Sequence, residues 1–214
     1  MKIIKYFFEF ISIISLFCIF KIIGLRNASN LGAILGRFVG PLFRSKKVTK
    51  QNIKIGLGNL DEKKEKEIIN GMWSNIGRTF AEYMFLKDFK FNKTNFDHVK
   101  INGTNYLNEI KTTNKPVVFF SCHFANFELM AMELDKFGIK CAAIYRPLNN
   151  IFLNPLMEYL RMKYICPNQI PKGRLGVRDV IKKVKDGYSI ALMVDQRVSQ
   201  GPKIPFFGEP AHTT

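Results

Sequence analysis

The sequence predicts an α/β fold, a mostly parallel sheet flanked by helices and preceded by a helical membrane-anchoring N-terminal segment. Three observations predict it. Apolar runs with strand character at Val117–Ser121, Ile139–Tyr145 and Tyr188–Val194 alternate with helical patterns. That alternation implies parallel strands joined by right-handed crossovers. The first 24 residues are rich in Phe, Ile and Leu and carry an uncharged run from Phe10 to Phe20. The length, 214 residues with 47% hydrophobic content, is enough for one well-filled α/β domain and a small appendage.

Taken in order, Ile3–Gly24 approaches the ~20 residues of a membrane span if Lys5, Glu9 and Lys21 are tolerated. Lys2, Lys5, Glu9 and Ser12 form a narrow polar stripe at helical spacing. Glu9, and the lack of a small-x-small site after the apolar run, argue against a secretory signal peptide. Residues 1–26 are therefore expected to be a membrane anchor or interfacial helix. A helical N-terminal part, 27–104, follows. Asn30–Phe43 has Gly32, Gly36 and Gly40 at four-residue intervals, which lets a second helix backbone come close. Ser45–Lys54 is a cationic run. Asp61 to about Leu86 is a helix capped by Asp61, with Ile69, Met72, Trp73, Ile76, Phe80 and Met84 as its apolar face. Lys87–Thr104 is turn-rich and polar.

The α/β part, 105–214, starts with the strand Val117–Ser121 and the helix Asn126–Phe137, stopped by Gly138. Ile139–Tyr145 is the second strand and Ile151–Lys163 a helix. Pro167–Gly173 is a loop, Gly176–Lys185 a basic amphipathic helix and Tyr188–Val194 the third strand. Three strands make a thin sheet with an uncovered edge, so a C-terminal continuation beyond Thr214 is expected.

Charge and cysteine usage narrow the chemistry. The 33 Lys+Arg against 17 Asp+Glu give +16, which calls for an anionic partner: phospholipid, phosphorylated substrate, acidic protein or nucleic acid. Nucleic acid fits poorly, because the aromatics cluster in apolar runs rather than alternating with basic residues as stacking platforms do. The 4 Cys are scattered without a C-x-x-C pair, and there are only 3 His. Reduced core cysteines and no structural metal are expected.

His123 and Glu128 carry the sharpest signal. Residues five apart lie about 140° apart on an ideal helix and do not meet. If His123 sits on the turn before the helix, its ring can fold toward Glu128. A carboxylate on one imidazole nitrogen leaves the other as a general base. No protein nucleophile stands beside it, so a substrate hydroxyl would fill that role. A histidine satisfied in the core and a solvent-facing glutamate fit the spacing equally. Cys122, adjacent on an extended backbone, points to the opposite face.

Four motifs in order then resemble one family. HFANFE (His123–Glu128), YRP (Tyr145–Pro147), DQ (Asp195-Gln196) and PFFG (Pro205–Gly208) are similar to those of the late acyltransferases of lipid A biosynthesis, the lauroyl and myristoyl transferases of the lysophospholipid acyltransferase superfamily. The likeness spans nearly the whole chain, including WSNIGRTFAE from Trp73 to Glu82. It departs at Ala125, where the family usually has Gly, and at the end, since members continue past the threonines that follow PFFG.

The resemblance implies that His123 deprotonates a hydroxyl of a phosphorylated, acylated glucosamine disaccharide bearing Kdo. Glu128 would orient it, and the hydroxyl would attack the thioester of acyl carrier protein. It implies Asn126, Arg146, Arg161, Asp195 and Gln196 as substrate-binding or bracing residues, the arginines for the oxyanion or substrate phosphates. It implies no cofactor, and a site on the cytoplasmic side of the bacterial inner membrane. Lys172, Arg174 and Arg178 form a basic cluster that suits acidic carrier protein or lipid phosphate. The motifs report the chemistry and not the acceptor, so another glycolipid or phospholipid acceptor, or a non-catalytic anionic-lipid-binding protein, remains open at this point.

Overall fold

The computed structural model describes residues 2–94, 97–195 and 201–212, the side chain of Arg174 excepted. Helix α1 spans Lys2–Ile23. Among the described residues it is the one helix long and apolar enough to cross a membrane. Its inner face docks on the body along its length. Asn150 donates to the Tyr6 carbonyl and to Glu9 at 2.8 and 3.1 Å. Phe17 stacks on Phe80, and Lys21 pairs with Asp88 at 3.0 Å. Ile3, Ile4, Phe8 and Ile22 on the outer side are exposed.

Gly24, at φ +79, turns the chain into α2 (Leu25–Val39), which a 3-10 turn at Gly40–Leu42 closes. The cationic run becomes helix α3 (Lys46–Leu57). Helix α4 (Glu62–Glu82) starts where Asp61 accepts the Lys64 amide at 2.9 Å, as the capping residue predicts. The glycine spacing of α2 is explained by α4. A Cβ on Gly32 would stand 2.4 Å from the Gly77 carbonyl oxygen, and one on Gly36 would stand 2.2 Å from that of Trp73. Gly40 lies under the Trp73 indole. The expected apolar face of α4 is split: Phe80 packs on α1, while Met72 and Ile76 are exposed. The helix ends at Glu82 and tightens to a 3-10 turn, Tyr83–Phe85, before the short α5 (Leu86–Lys90). Helix α6 (Thr104–Thr113), which the sequence did not announce, opens after Gly103 and stops at the left-handed Asn114.

The α/β layer follows the expected alternation: β1 (Val118–Ser121), α7 (Glu128–Lys136), β2 (Cys141–Tyr145), α8 (Leu153–Tyr164), then β3 (Asn168–Pro171), α9 (Arg174–Lys185) and β4 (Ser189–Met193). Here β3 corrects the loop expected at Pro167–Gly173. It pairs parallel to β2 at the sheet edge, the position where Pro171, its last residue, does the least harm to a ladder. The order is β1-β4-β2-β3, all parallel. β4 thus lies between β1 and β2, and Ser121 stands opposite Met193. An antiparallel hairpin, β5 (Lys203–Phe206) and β6 (Glu209–His212), carries the PFFG motif at its turn. Phe207 and Gly208 there both have positive φ, 50° and 79°, as a two-residue hairpin turn requires.

One continuous core joins the two parts. Phe20 of α1, Leu86 of α5, Met132 of α7 and Ile165 and Cys166 after α8 are all fully buried within it. Full burial of each of the Phe, Leu, Met and Ile side chains among them is worth about 1.5–3 kcal/mol. Cys141 and Cys166 are core residues as expected, whereas Cys18 is exposed on α1.

Candidate active site

Parallel strands place their C-terminal ends on one rim, and ligands of open α/β sheets bind there. His123 follows β1, Arg146 follows β2 and Asp195 follows β4. His123 lies in the bend before α7, and Glu128 is the first residue of that helix. The bend is made by Ala125 at φ +44, a left-handed conformation that a Cβ disfavours by roughly 1–2 kcal/mol. Glycine, which the resemblance leads one to expect here, would take this backbone shape without that cost.

Because β4 adjoins β1, Asp195 arrives beside His123 across 72 residues of sequence. Its carboxylate accepts the His123 backbone amide at 2.9 Å and meets the imidazole Nδ1 at 2.6 Å. An ionised carboxylate only accepts, so Nδ1 carries the proton and Nε2 is the basic nitrogen. Partial burial works to raise the Asp195 carboxyl, but the His123 amide and imidazole outweigh it and hold the group below its ordinary range. The Phe127 ring lies edge-on to the imidazole at 4.4 Å.

The contacts of Glu128 differ from those expected. Its Oε1 accepts Arg161 Nη2 at 2.6 Å and Nε at 3.1 Å, as well as the hydroxyl of Tyr83. The Arg161 Nη2 also donates to Tyr83 Oη at 2.8 Å. Burial pushes the Glu128 carboxyl above its ordinary range, and Arg161 pulls the other way. The carboxylate on the imidazole Nδ1 is therefore that of Asp195, while Glu128 anchors Arg161. His123 and Glu128 nevertheless line the same cavity.

That cavity has a volume of about 750 Å³ and runs from the rim between α7, α8 and α9. Arg146, Arg161 and Lys172 supply its positive charge, and Met130, Ile165, Val180 and Leu192 are among its apolar lining. Arg146 is exposed, whereas the Arg161 side chain is 16% exposed. Tyr145 donates to Glu158, and its hydroxyl is pushed up to about 12 by burial and by that carboxylate. Asn126 donates to Glu82 at 2.8 Å, and its Oδ1 is buried without a partner among the described residues. Gln196 lies outside the described residues, as does the side chain of Arg174.

Sequence reasoning missed Tyr83, and with it Asn75, Thr79 and Glu82. All four lie on one face of the α4 segment and touch residues 125–128. Their spacing, i, i+4, i+7, i+8, was a readable polar stripe.

The whole chain, residues 1–214, matches the bacterial lipid A biosynthesis acyltransferase family. The chain belongs to that family. A curated relative, lipid A biosynthesis acyltransferase 2 of Shigella flexneri, is 24% identical over 181 residues. The match covers 83% of this chain and 55% of that protein, so the chain spans about half the length of its curated relative.

Proposed function

We propose that this protein moves a fatty acyl chain from the thioester of acyl carrier protein to a hydroxyl of a lipid A precursor. The observation that carries the reading is the His123–Asp195 pair beside a cavity that His123 lines together with Arg146, Arg161, Lys172 and apolar side chains. His123 Nε2 takes the proton of the acceptor hydroxyl as its oxygen bonds to the thioester carbonyl carbon. Asp195 balances the imidazolium that forms. The tetrahedral intermediate collapses with cleavage of the carbon–sulfur bond, and the imidazolium returns its proton to the departing thiolate. The ester and the free thiol account for every atom.

Glu128 is the second carboxylate of the site. Its pairing with Arg161 holds a guanidinium in the cavity that His123 lines. Arg161 is the candidate for the oxyanion, and Arg146, exposed at the mouth, for a substrate phosphate. Asn126 and Gln196 brace or contact the acceptor. The apolar depth of the cavity suits an acyl chain. The outer face of α1 would rest in the bacterial inner membrane with the site on its cytoplasmic side, and the charge of +16 favours both an anionic glycolipid and an acidic carrier protein.

The test is acyl transfer from acyl carrier protein to a Kdo-bearing lipid A precursor, with phospholipid acceptors as controls. His123→Ala should abolish it. Transfer by that variant at the wild-type rate would remove His123 as the base, and transfer only to phospholipid would replace the acceptor.

A further inference from the structure

The turn that carries His123 belongs to neither the sheet nor a helix. Between Cys122 and Phe127 its own backbone supplies Phe124 N–H to the Cys122 carbonyl at 2.8 Å, and Asn126 accepts Leu129 N–H at 3.1 Å. Ala125, at its centre, adopts φ +44, and neighbouring groups must over-determine such a shape. They come from α4. The Ala125 carbonyl accepts Asn75 Nδ2 at 3.1 Å and the Thr79 hydroxyl at 3.0 Å. Thr79 is buried, at 5% exposure.

The two donors belong to a larger grip. At about 100° per residue, Asn75, Thr79, Glu82 and Tyr83 fall within a quarter to a third of a turn of one another. Glu82 takes Asn126, and is itself held by Ser29 of α2 at 2.8 Å. Tyr83 takes Glu128. Residues 125, 126 and 128 are thus held from one helix face, which the glycine contacts lock against α2.

We propose that Thr79 and Asn75 are positioning residues of the acyl-transfer site, an inference that rests on the reading of His123 as its base. By holding the Ala125 carbonyl they keep the turn in the backbone shape that brings the imidazole to Asp195. Neither residue is among those that line the cavity. Their effect passes through the tautomer and aim of His123. An alanine at this point makes the two donors necessary, because its Cβ disfavours the left-handed conformation that glycine takes freely.

The test uses Thr79→Val, which removes the hydroxyl at nearly constant volume, with Thr79→Ser as the conservative rescue and Asn75→Ala as the second probe should the valine variant fold poorly. With one hydrogen bond to the Ala125 carbonyl lost, kcat should fall by up to about tenfold while KM for acyl carrier protein stays constant. Thr79→Ser should restore kcat. Nitrogen-15 NMR of the imidazoles, only 3 per chain, should show His123 passing from one tautomer to a mixture. In an Ala125→Gly background the Thr79→Val penalty should shrink.

An unchanged kcat and tautomer in both probes overturns the proposal. So does a Thr79→Val penalty of equal size in the two backgrounds, since Thr79 would then be acting elsewhere. The two readings fail separately. A wild-type protein that transfers no acyl chain, yet whose His123 tautomer responds to Thr79→Val, refutes acyl transfer and leaves the positioning role intact.

Discussion

Replacing Asp195 by Asn isolates the charge of the carboxylate from its shape. In the wild type the Asp195 carboxylate holds two hydrogen bonds, from the His123 amide at 2.9 Å and with Nδ1 at 2.6 Å. Asparagine keeps one acceptor oxygen for the amide, but presents an N–H₂ group to Nδ1. To accept it, the imidazole must move its proton to Nε2, and the nitrogen that would take the hydroxyl proton becomes a donor. Hydrogen bonds to charged groups contribute about 1.5–3 kcal/mol. With the Asp195 side chain 29% exposed, solvent reduces the loss, and a destabilisation of about 1 kcal/mol is expected. The catalytic loss should be far larger, about 10³-fold in kcat, because a wrong tautomer removes the base altogether. The pH dependence has a definite sign. The wild-type carboxyl is held below its ordinary range, so its contribution to stability is present above the unfolded carboxyl pKa of about 3.9. It is lost as pH falls through the lower folded value, and Asp195→Asn should lack that acid-side component. Single-turnover acyl transfer, with urea melts across pH 3–7 as ~1 kcal/mol comparisons, reads both effects. Activity within threefold of wild type would refute the tautomer argument.

Three further outcomes follow from other contacts. Gly77→Ala places a Cβ 2.0 Å from the Gly32 carbonyl oxygen, and since backbone lies on both sides it should cost about 3 kcal/mol or more; a thermal midpoint within 2 °C of wild type would mean that α2 and α4 separate freely. Arg161→Ala leaves the Glu128 carboxylate buried without its guanidinium, at a cost of about 3–5 kcal/mol near neutral pH. Because burial already raises that carboxyl, the variant should regain stability in acid, where Glu128 is neutral, and lose it as pH rises through the raised value; a pH-independent deficit in chemical denaturation would contradict this. Asn150→Ala removes the donor to Tyr6 and Glu9 and the acceptor for the Phe152 and Leu153 amides. It should speed hydrogen exchange in the first half of α1 while cutting the α8 cap by about 1 kcal/mol, whereas unchanged exchange there would show that α1 docks through its aromatic residues alone.

The alternation of strands and helices, the cap at Asp61 and the placement of His123 ahead of α7 were legible because each rests on local pattern. Gly32, Gly36 and Gly40 announced a close helix approach, though not that α4 makes it. β3 was invisible: four residues that follow one proline and end in another carry too little periodicity, and only pairing with β2 makes them a strand. Helix α6 was missed because its polar sequence has no strong apolar stripe. In the site, His123, Glu128, Arg146, Arg161 and Asp195 all reach one rim, but their partners depend on strand order. Nothing local says that β4 inserts between β1 and β2, and that insertion gives the imidazole to Asp195 and leaves Glu128 to Arg161. The α4 stripe escaped notice because its apolar neighbours, Met72 and Ile76 among them, drew the inward face in the wrong direction.

The insertion of β4 also sets an order in time. During synthesis β1 and β2 emerge first, yet they have no ladder to share, for each pairs with β4. Until residues 189–193 leave the ribosome, β1 remains an unpaired strand with the exposed apolar side chains Val118 and Phe120, held only by what packs around it. Such non-local pairing is slow and exposes sticky edges. The nascent chain therefore passes through an interval in which the helical N-terminal part can already be complete while the sheet has a gap at its centre. A chaperone or the membrane surface has most to protect during that interval. The same event that closes the gap delivers Asp195 to His123, so no nascent chain that stops short of Asp195 carries an assembled pair.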